Sequence, residues 1–261
     1  MNSNSEASTS TADTSHVALL SREMYLKGRV DPSLGDCDYL HLKDLRTLLQ
    51  TLAPEVRGDV FDYGCGGAPY RSLFTHCRRY VAADIVSGPA VDKVISSDGS
   101  TGEPDASYDL VFSCQVLEHV KDPGAYLREC RRILRPGGRL LLSTHGMMQE
   151  HGCPFDFYRW TCNGLEHLVR QNAFEVIDSY KLTTQIRAFV LLLNQLCTNL
   201  EDPKRKWRDF FLWAARRIYN RIGLPALNWL ADFFPEQGVV SASHGTPLYT
   251  CICVHARRPP D

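Results

Sequence analysis

A parallel α/β sheet is the fold this chain predicts, and three observations predict it. Val60-Phe61-Asp62-Tyr63 is an apolar run ending in an acid, and the glycines Gly64, Gly66 and Gly67 follow at once. Similar short runs recur at Tyr80–Asp84, Tyr108–Ser113 and Arg139–Ser143. Helical patterns alternate with strands, which places them in one sheet joined by crossovers.

The first fifteen residues, Met1–Ser15, are rich in Ser, Thr and Asn and carry no apolar core. They read as a disordered tail, neither a signal peptide nor a span. Residues 16–57 form a helical extension. His16–Lys27 has a short helical pattern, and Asp38–Leu52 repeats Leu42, Leu45, Leu48, Leu49 and Leu52 at helical spacing until Pro54. The main domain runs over 58–261. Its first strand enters a tight turn, and Pro69 sits where a helix would begin. Tyr80–Asp84 is the second strand and Tyr108–Ser113 the fourth. Pro123–Leu134 is a helix closed by Pro136-Gly137-Gly138, and the fifth strand follows it. Thr161 caps a helix at Asn163–Gln171, Phe174–Tyr180 is strand six, and Leu248–His255 is the last strand. About 65 residues lie between the last two strands, too many for a plain loop. They predict a helical insert over about 185–235.

The chain has 261 residues, 44% of them hydrophobic, and a formal net charge of −1. That supports a full core and supplies no broad positive field, so nucleic acid is not the expected partner. The ten cysteines include no C-x-x-C pair, which points to reduced thiols in a cytoplasmic protein. No run reaches the roughly 20 apolar residues of a transmembrane helix.

The glycine loop is not a dinucleotide fingerprint. The last glycine of G-x-G-x-x-G would fall at Pro69. Asp62-Tyr63-Gly64-Cys65-Gly66-Gly67 instead resembles the first motif of the class I S-adenosylmethionine-dependent methyltransferases. Tyr80–Asp84, Tyr108–Ser113 with Cys114–Val120, and Leu134–Ser143 follow in that family's order. The resemblance implies a Rossmann-like seven-stranded sheet of order 3-2-1-4-5-7-6, with strand seven antiparallel and helices on both faces. It also implies S-adenosylmethionine as cofactor. Gly64, Cys65 and Gly66 would lie under its methionine part, with Asp62 facing the amino group. Asp84 would accept both ribose hydroxyls, since a carboxylate has two oxygens for two donors. Asp98 would lie near the adenine amino group or form a plain Asx-turn. Ser113 and Gln115 would close the pocket.

The cofactor brings an electrophilic methyl group, so the protein's part is to align acceptor, carbon and sulfur. His151-Gly152-Cys153-Pro154-Phe155-Asp156-Phe157-Tyr158-Arg159-Trp160-Thr161 resembles a stretch of a bacterial subgroup, related to methyltransferase type 11, that accompanies glycan or lipopolysaccharide assembly. It reads as an acceptor wall, with His145 or His151 as base and Tyr158 and Arg159 against the substrate. The alternative is an Asp156–Arg159 structural pair with Tyr158 and Trp160 in the core. Leu117-Glu118-His119 resembles a stretch associated with a divalent metal in quinone-biosynthesis O-methyltransferases. Those enzymes carry an extra acid where this chain has Gln115, so no metal ligand is assigned, and Glu118 and His119 read as bracing the following helix.

The expected function is methyl transfer to a small or medium acceptor, foremost a hydroxyl of a sugar or glycan intermediate. A quinone-like or lipid-soluble acceptor is the runner-up, and a non-catalytic cofactor-binding scaffold is the rival. In the insert, Trp207, Phe210, Phe211, Trp213, Ile218 and Ile222 form an apolar face flanked by Lys204, Arg205, Lys206, Arg208, Arg216, Arg217 and Arg221. The first reading is a cap or homodimer contact. The second is peripheral contact with an anionic membrane.

Overall fold

The computed structural model describes residues 26–151, 155–198, 207–243, 245 and 248–260, with 207–212 in their backbone alone. The expected tail, most of the His16–Lys27 helix and the basic run Lys204–Lys206 lie outside the described residues.

Helix α1 (Tyr39–Leu52) leads into strand β1 (Gly58–Tyr63). Strands β2 (Cys77–Asp84), β3 (Lys93–Val94) and β4 (Tyr108–Cys114) follow. Then come helix α2 (Pro123–Ile133), strand β5 (Leu134–His145), helix α3 (Cys162–Gln171) and strand β6 (Glu175–Thr184). The insert contributes α4 (Gln185–Thr198), α5 (Trp207–Ile218), a π-helical turn (Tyr219–Gly223) and α6 (Leu224–Ala231). Strands β7 (Val239–Ser241) and β8 (Tyr249–Arg257) complete the sheet.

The sheet order is β3-β2-β1-β4-β5-β8-β6-β7. This corrects the expected seven strands to eight. β8 takes the place expected for strand seven, antiparallel to both β5 and β6. The additional strand, β7, is the end of the insert returning along the free edge of β6, where Leu182 pairs with Val239. An edge strand of three residues satisfies backbone groups and carries no hydrophobic alternation of its own.

A second correction concerns the glycine loop. No α-helix follows it; a single 3₁₀ turn, Arg71–Leu73, stands in that place. Only residues 64–76 separate β1 from β2, and the glycine turn and Pro69 use half of them. What remains, residues 70–76, is about two turns, short of the roughly three turns of a typical α-helix. Helix α1 covers that face instead.

Alternation along the strands sorts the core into two layers. Val60, Leu110, Phe112 and Leu141 face Leu45, Leu48 and Leu49 of α1, with Tyr70 and Phe74 filling the space the missing helix leaves. Phe61, Val111, Leu140 and Leu142 face Tyr126, Leu127 and Cys130 of α2 and Leu165 and Val169 of α3. Both of these helices have side-chain N-caps. Asp122 accepts the Ala125 N–H at 2.9 Å, and Thr161 accepts the Gly164 N–H at 3.1 Å. The cysteines among the described residues are free.

The insert caps the protein through α1. Val190, Leu191 and Ala231 pack on Tyr39 and Leu40. Arg187 of α4 is 2% exposed and grips Asp44 of α1 with two nitrogens, Nη2 to Oδ1 at 2.5 Å and Nε to Oδ2 at 3.1 Å. Its third nitrogen donates to the Ala231 carbonyl and to Asp232.

Candidate active site

The C-terminal ends of β1, β2, β4 and β5 meet at one edge of the sheet. That edge is the crevice where open α/β sheets take ligands. Past β1 the chain turns with Gly64 at φ +81° and Gly66 at φ +56°. The Gly64 and Cys65 N–H groups both donate to the Ala83 carbonyl, at 2.9 and 3.0 Å, which ties the loop to the end of β2. A Cβ on Gly64 would come within 2.6 Å of Val116, so packing excludes a side chain there. A Cβ on Gly66 would meet nothing within 4 Å. The open backbone at Gly66 is the surface a ligand can touch.

Two acids frame that loop. Asp84 accepts the Gly66 N–H at 2.8 Å through Oδ2 and the Val86 N–H at 3.0 Å through Oδ1. A carboxylate has about four lone-pair sites, so one on each oxygen is left for a pair of hydroxyls. Asp62 is buried and takes the Tyr80 hydroxyl on Oδ2 at 2.6 Å. Burial raises its pKa to about 7, the Tyr80 hydroxyl opposes the rise, and the Asp84 charge adds to it. A buried carboxylate held by one neutral donor is matched to a cationic group such as the ammonium of an amino acid. Both acids, with the open glycine, fit S-adenosylmethionine.

The other expected cofactor residues divide. Cys65 packs in a small core with Ala68 and Ala82. Asp98 is exposed and accepts the Ser100 N–H at 2.9 Å, the geometry of an Asx-turn. Ser113 is buried and receives the Tyr126 hydroxyl at 2.8 Å, directed at α2. Gln115 holds a left-handed backbone, φ +58°, and its Nε2 donates to Ser143 Oγ at 3.1 Å and to Cys251 Sγ at 3.2 Å. A non-glycine residue in that region is uncommon and marks a constrained strand end.

At the ends of β4 and β5 stands a polar group. Glu118, fully buried in a 3₁₀ turn, accepts the Thr144 hydroxyl on Oε2 at 2.8 Å. Its Oε1 lies 3.2 Å from His145 Nε2. The His151 ring stands edge-on to the His145 ring at 4.9 Å, and His41 of α1 lies on the other side at 5.4 Å. Burial and neighbouring cations hold the His145 imidazole neutral, with its pKa well below the usual value. Burial lowers His41 to about 4 and raises the Glu118 carboxyl.

The loop after β5 is pinned to this group. The Phe157 N–H donates to the Glu118 carbonyl at 2.8 Å and the Trp160 N–H to the His145 carbonyl at 3.0 Å. Arg159 holds both Asp156 oxygens, at 2.6 and 2.5 Å, and the carbonyls of Met148 and Gln149. Its donors therefore shape the loop. Asp156 in turn accepts the His151 backbone N–H at 2.9 Å. The Tyr158 hydroxyl donates to the Lys121 carbonyl at 3.2 Å, and its ring packs against Trp160.

His41 and Tyr80 entered no site expectation, yet each left a signal. His41 lies one helical turn before Leu45 on the buried stripe of α1, so its burial was readable from spacing. Tyr80, on β2, pairs with Val60 of β1, two residues before Asp62. Only the register reveals that contact.

The methyltransferase-domain family profile matches residues 39–204. A ubiquinone biosynthesis O-methyltransferase of Xanthomonas euvesicatoria is 32% identical over 161 residues, 55% of this chain and 66% of that protein. A protein of Mycolicibacterium smegmatis named "Probable S-adenosylmethionine-dependent methyltransferase" is 33% identical over 127 residues, 44% of this chain and 49% of that one. The chain thus matches about half to two thirds of these relatives' lengths. In fold it is similar to the [4+2]-cyclase SpnF, at TM-score 0.54 and 16% identity over 85% of this chain and 83% of that one. It is equally similar to a Thermotoga maritima S-adenosylmethionine-dependent methyltransferase, at TM-score 0.54 and 13% identity over 92% of this chain and 97% of that one. The matched profile covers the glycine loop, both acids and the polar group. The chain belongs to the class I S-adenosylmethionine-dependent methyltransferases.

Proposed function

We propose that this chain transfers a methyl group from S-adenosylmethionine to a hydroxyl of a quinone-like, lipid-soluble acceptor. One observation carries the reading. An open glycine loop flanked by two acids lies beside a buried carboxylate–imidazole group, at the ends of adjacent strands. The loop and acids suit the cofactor. The group of Glu118, His145 and His151 suits an acceptor hydroxyl, whose proton must leave before its oxygen attacks the methyl carbon. The likeness to a ubiquinone biosynthesis O-methyltransferase supports a quinone-like acceptor over the sugar hydroxyl that the post-β5 stretch suggested. Asp62 receives the ammonium of the cofactor and Asp84 its ribose. Tyr158 and Arg159 form the frame of the acceptor loop.

The acceptor's solubility gives the insert a role. Ile218, Ile222, Trp229 and Leu230 are exposed along α5, the π turn and α6, and Phe233 just beyond it, with Arg217 and Arg221 exposed in the same stretch. An anionic lipid surface matches that composition and would supply a lipid-soluble acceptor. A second subunit is the competing occupant. Among the described residues, no helix is long and apolar enough to cross a membrane.

The test is transfer of labelled methyl from S-adenosylmethionine to a panel of hydroxylated quinone head groups and sugar nucleotides, with the product identified by mass. The reading expects a methyl ether on a phenolic oxygen. Methylation of the sugar hydroxyls alone would refute the acceptor class. Cofactor binding without transfer to any acceptor would favour a scaffold.

A further inference from the structure

We infer that Glu118, His145 and His151 form a binding site for a divalent transition-metal cation. One ligand atom from each of the three lies within 4.8 Å of the other two. A tetrahedral cation with bonds of about 2.0–2.1 Å needs ligand atoms roughly 3.3 Å apart. Glu118 Oε1 and His145 Nε2, at 3.2 Å, already have that spacing. His151 sits on an exposed loop position and closes the third edge by a side-chain movement.

Two further observations point to a ligand. Glu118 Oε1 is buried and makes no hydrogen bond: Thr144 satisfies Oε2, while Oε1 faces His145 Nε2 at 3.2 Å. A buried polar atom left that way is costly unless something completes it. The outer partners also match a metal centre. His151 Nδ1 lies 3.4 Å from Asp156 Oδ2, and Arg159 clamps that carboxylate; a carboxylate behind a ligating imidazole orients the ring.

Two imidazoles and one carboxylate select a borderline cation of the zinc, cobalt or iron(II) kind over magnesium, which prefers oxygen and keeps its waters. The set differs from the one weighed in the sequence. His119 turns its Nδ1 to the Phe155 carbonyl at 2.7 Å, and its Nε2 stands 4.0 Å from Glu118. The partners of Glu118 are thus His145 at the end of β5 and His151 in the loop beyond it, and not His119.

The catalytic consequence rests on the function proposed above; the binding does not. A cation held by Glu118, His145 and His151 would supply a Lewis acid that eases loss of the acceptor hydroxyl's proton to water. The oxygen, keeping the O–H electron pair, would attack the methyl carbon as the S–CH₃ bond breaks toward sulfur. The imidazoles in that case are ligands and not bases.

Cobalt(II) titration of the full, chelator-stripped chain tests the site, followed by calorimetry and by the visible absorption of the ion. One equivalent is expected to bind with no thiolate charge-transfer band, and millimolar magnesium should not displace it. The exposed His151→Ala should weaken binding at least tenfold, and Glu118→Gln should abolish it. Binding of S-adenosylhomocysteine by each variant verifies its fold. Absence of stoichiometric cobalt in wild type that still binds S-adenosylhomocysteine would overturn the site. So would equal affinity in His151→Ala, or a thiolate band placing the ion on cysteine. Cobalt binding without methyl transfer would refute the catalytic role alone, while transfer without cobalt binding would leave the methyltransferase reading standing.

Discussion

Asp62 carries the conflict between stability and function most visibly. Its pKa is about 7 in the folded chain, against an ordinary 3.8. The folded state therefore binds this proton more tightly than the unfolded state does. The resulting stabilisation is full below about pH 4 and is lost as pH rises toward about 7. Asp62→Asn keeps an acceptor for the Tyr80 hydroxyl and cannot ionise. Without ligand, this variant should melt above wild type at pH 8, with the gap closing as pH falls from 7 to 4, while binding S-adenosylmethionine more weakly. A melting difference that ignores pH would show that Asp62 does not titrate in that range. Gly66 gives a second case. At φ +56° an alanine takes a left-handed backbone costing roughly 1–2 kcal/mol. Gly66→Ala should lower chemical stability by about that amount and also weaken the cofactor, since the new methyl enters the open face. Asp62, Gly64, Gly66 and Asp84 were legible because strand, acid and glycine are close in sequence. The inward turn of Ser113 was not, because strand parity decides which way that side chain points. The Arg159–Asp156 pair was one of the two readings of the stretch after β5, and the structure forms it.

The elements show where length outweighs motif. The apolar runs at Val60–Tyr63 and Tyr108–Ser113 made the strands readable, and Thr161 marked the start of α3. The helix expected after the glycine loop failed because residues 64–76 give it no room, and β7 escaped notice because three residues carry no period. The union of α1 with the insert was hidden for another reason. Arg187 and Asp44 are 143 residues apart, and nothing local tells that either is buried. That pair predicts a measurable asymmetry. Arg187→Met leaves Asp44 buried with its cation gone and should cost about 3–5 kcal/mol in denaturant unfolding. Adding Asp44→Leu should restore most of the loss, since both charges are then gone. Equal destabilisation by the double variant would mean that the ion pair itself, and not the unpaired charge, supplies the stability.

For the whole molecule, the insert separates two surfaces. Its inner side, with Val190, Leu191, Leu224 and Ala231, is buried. Its outer stripe should pull the protein onto anionic vesicles in a salt-sensitive manner. Ile222→Glu should reduce flotation severalfold while changing stability by no more than about 0.5 kcal/mol, as for an exposed position. A dimer in sedimentation that dissociates with the same substitution would assign the stripe to a second subunit. Whatever covers the insert, the molecule's chemistry depends on the crevice at the ends of β1 and β2, and one measurement addresses it. Calorimetric titration of S-adenosylhomocysteine into wild type and Asp84→Ala compares the site with and without the carboxylate assigned to the ribose. Loss of a charge-assisted contact worth roughly 1.5–3 kcal/mol should weaken binding about tenfold or more. An Asp84→Ala chain that binds as tightly as wild type would place the cofactor elsewhere and contradict the site.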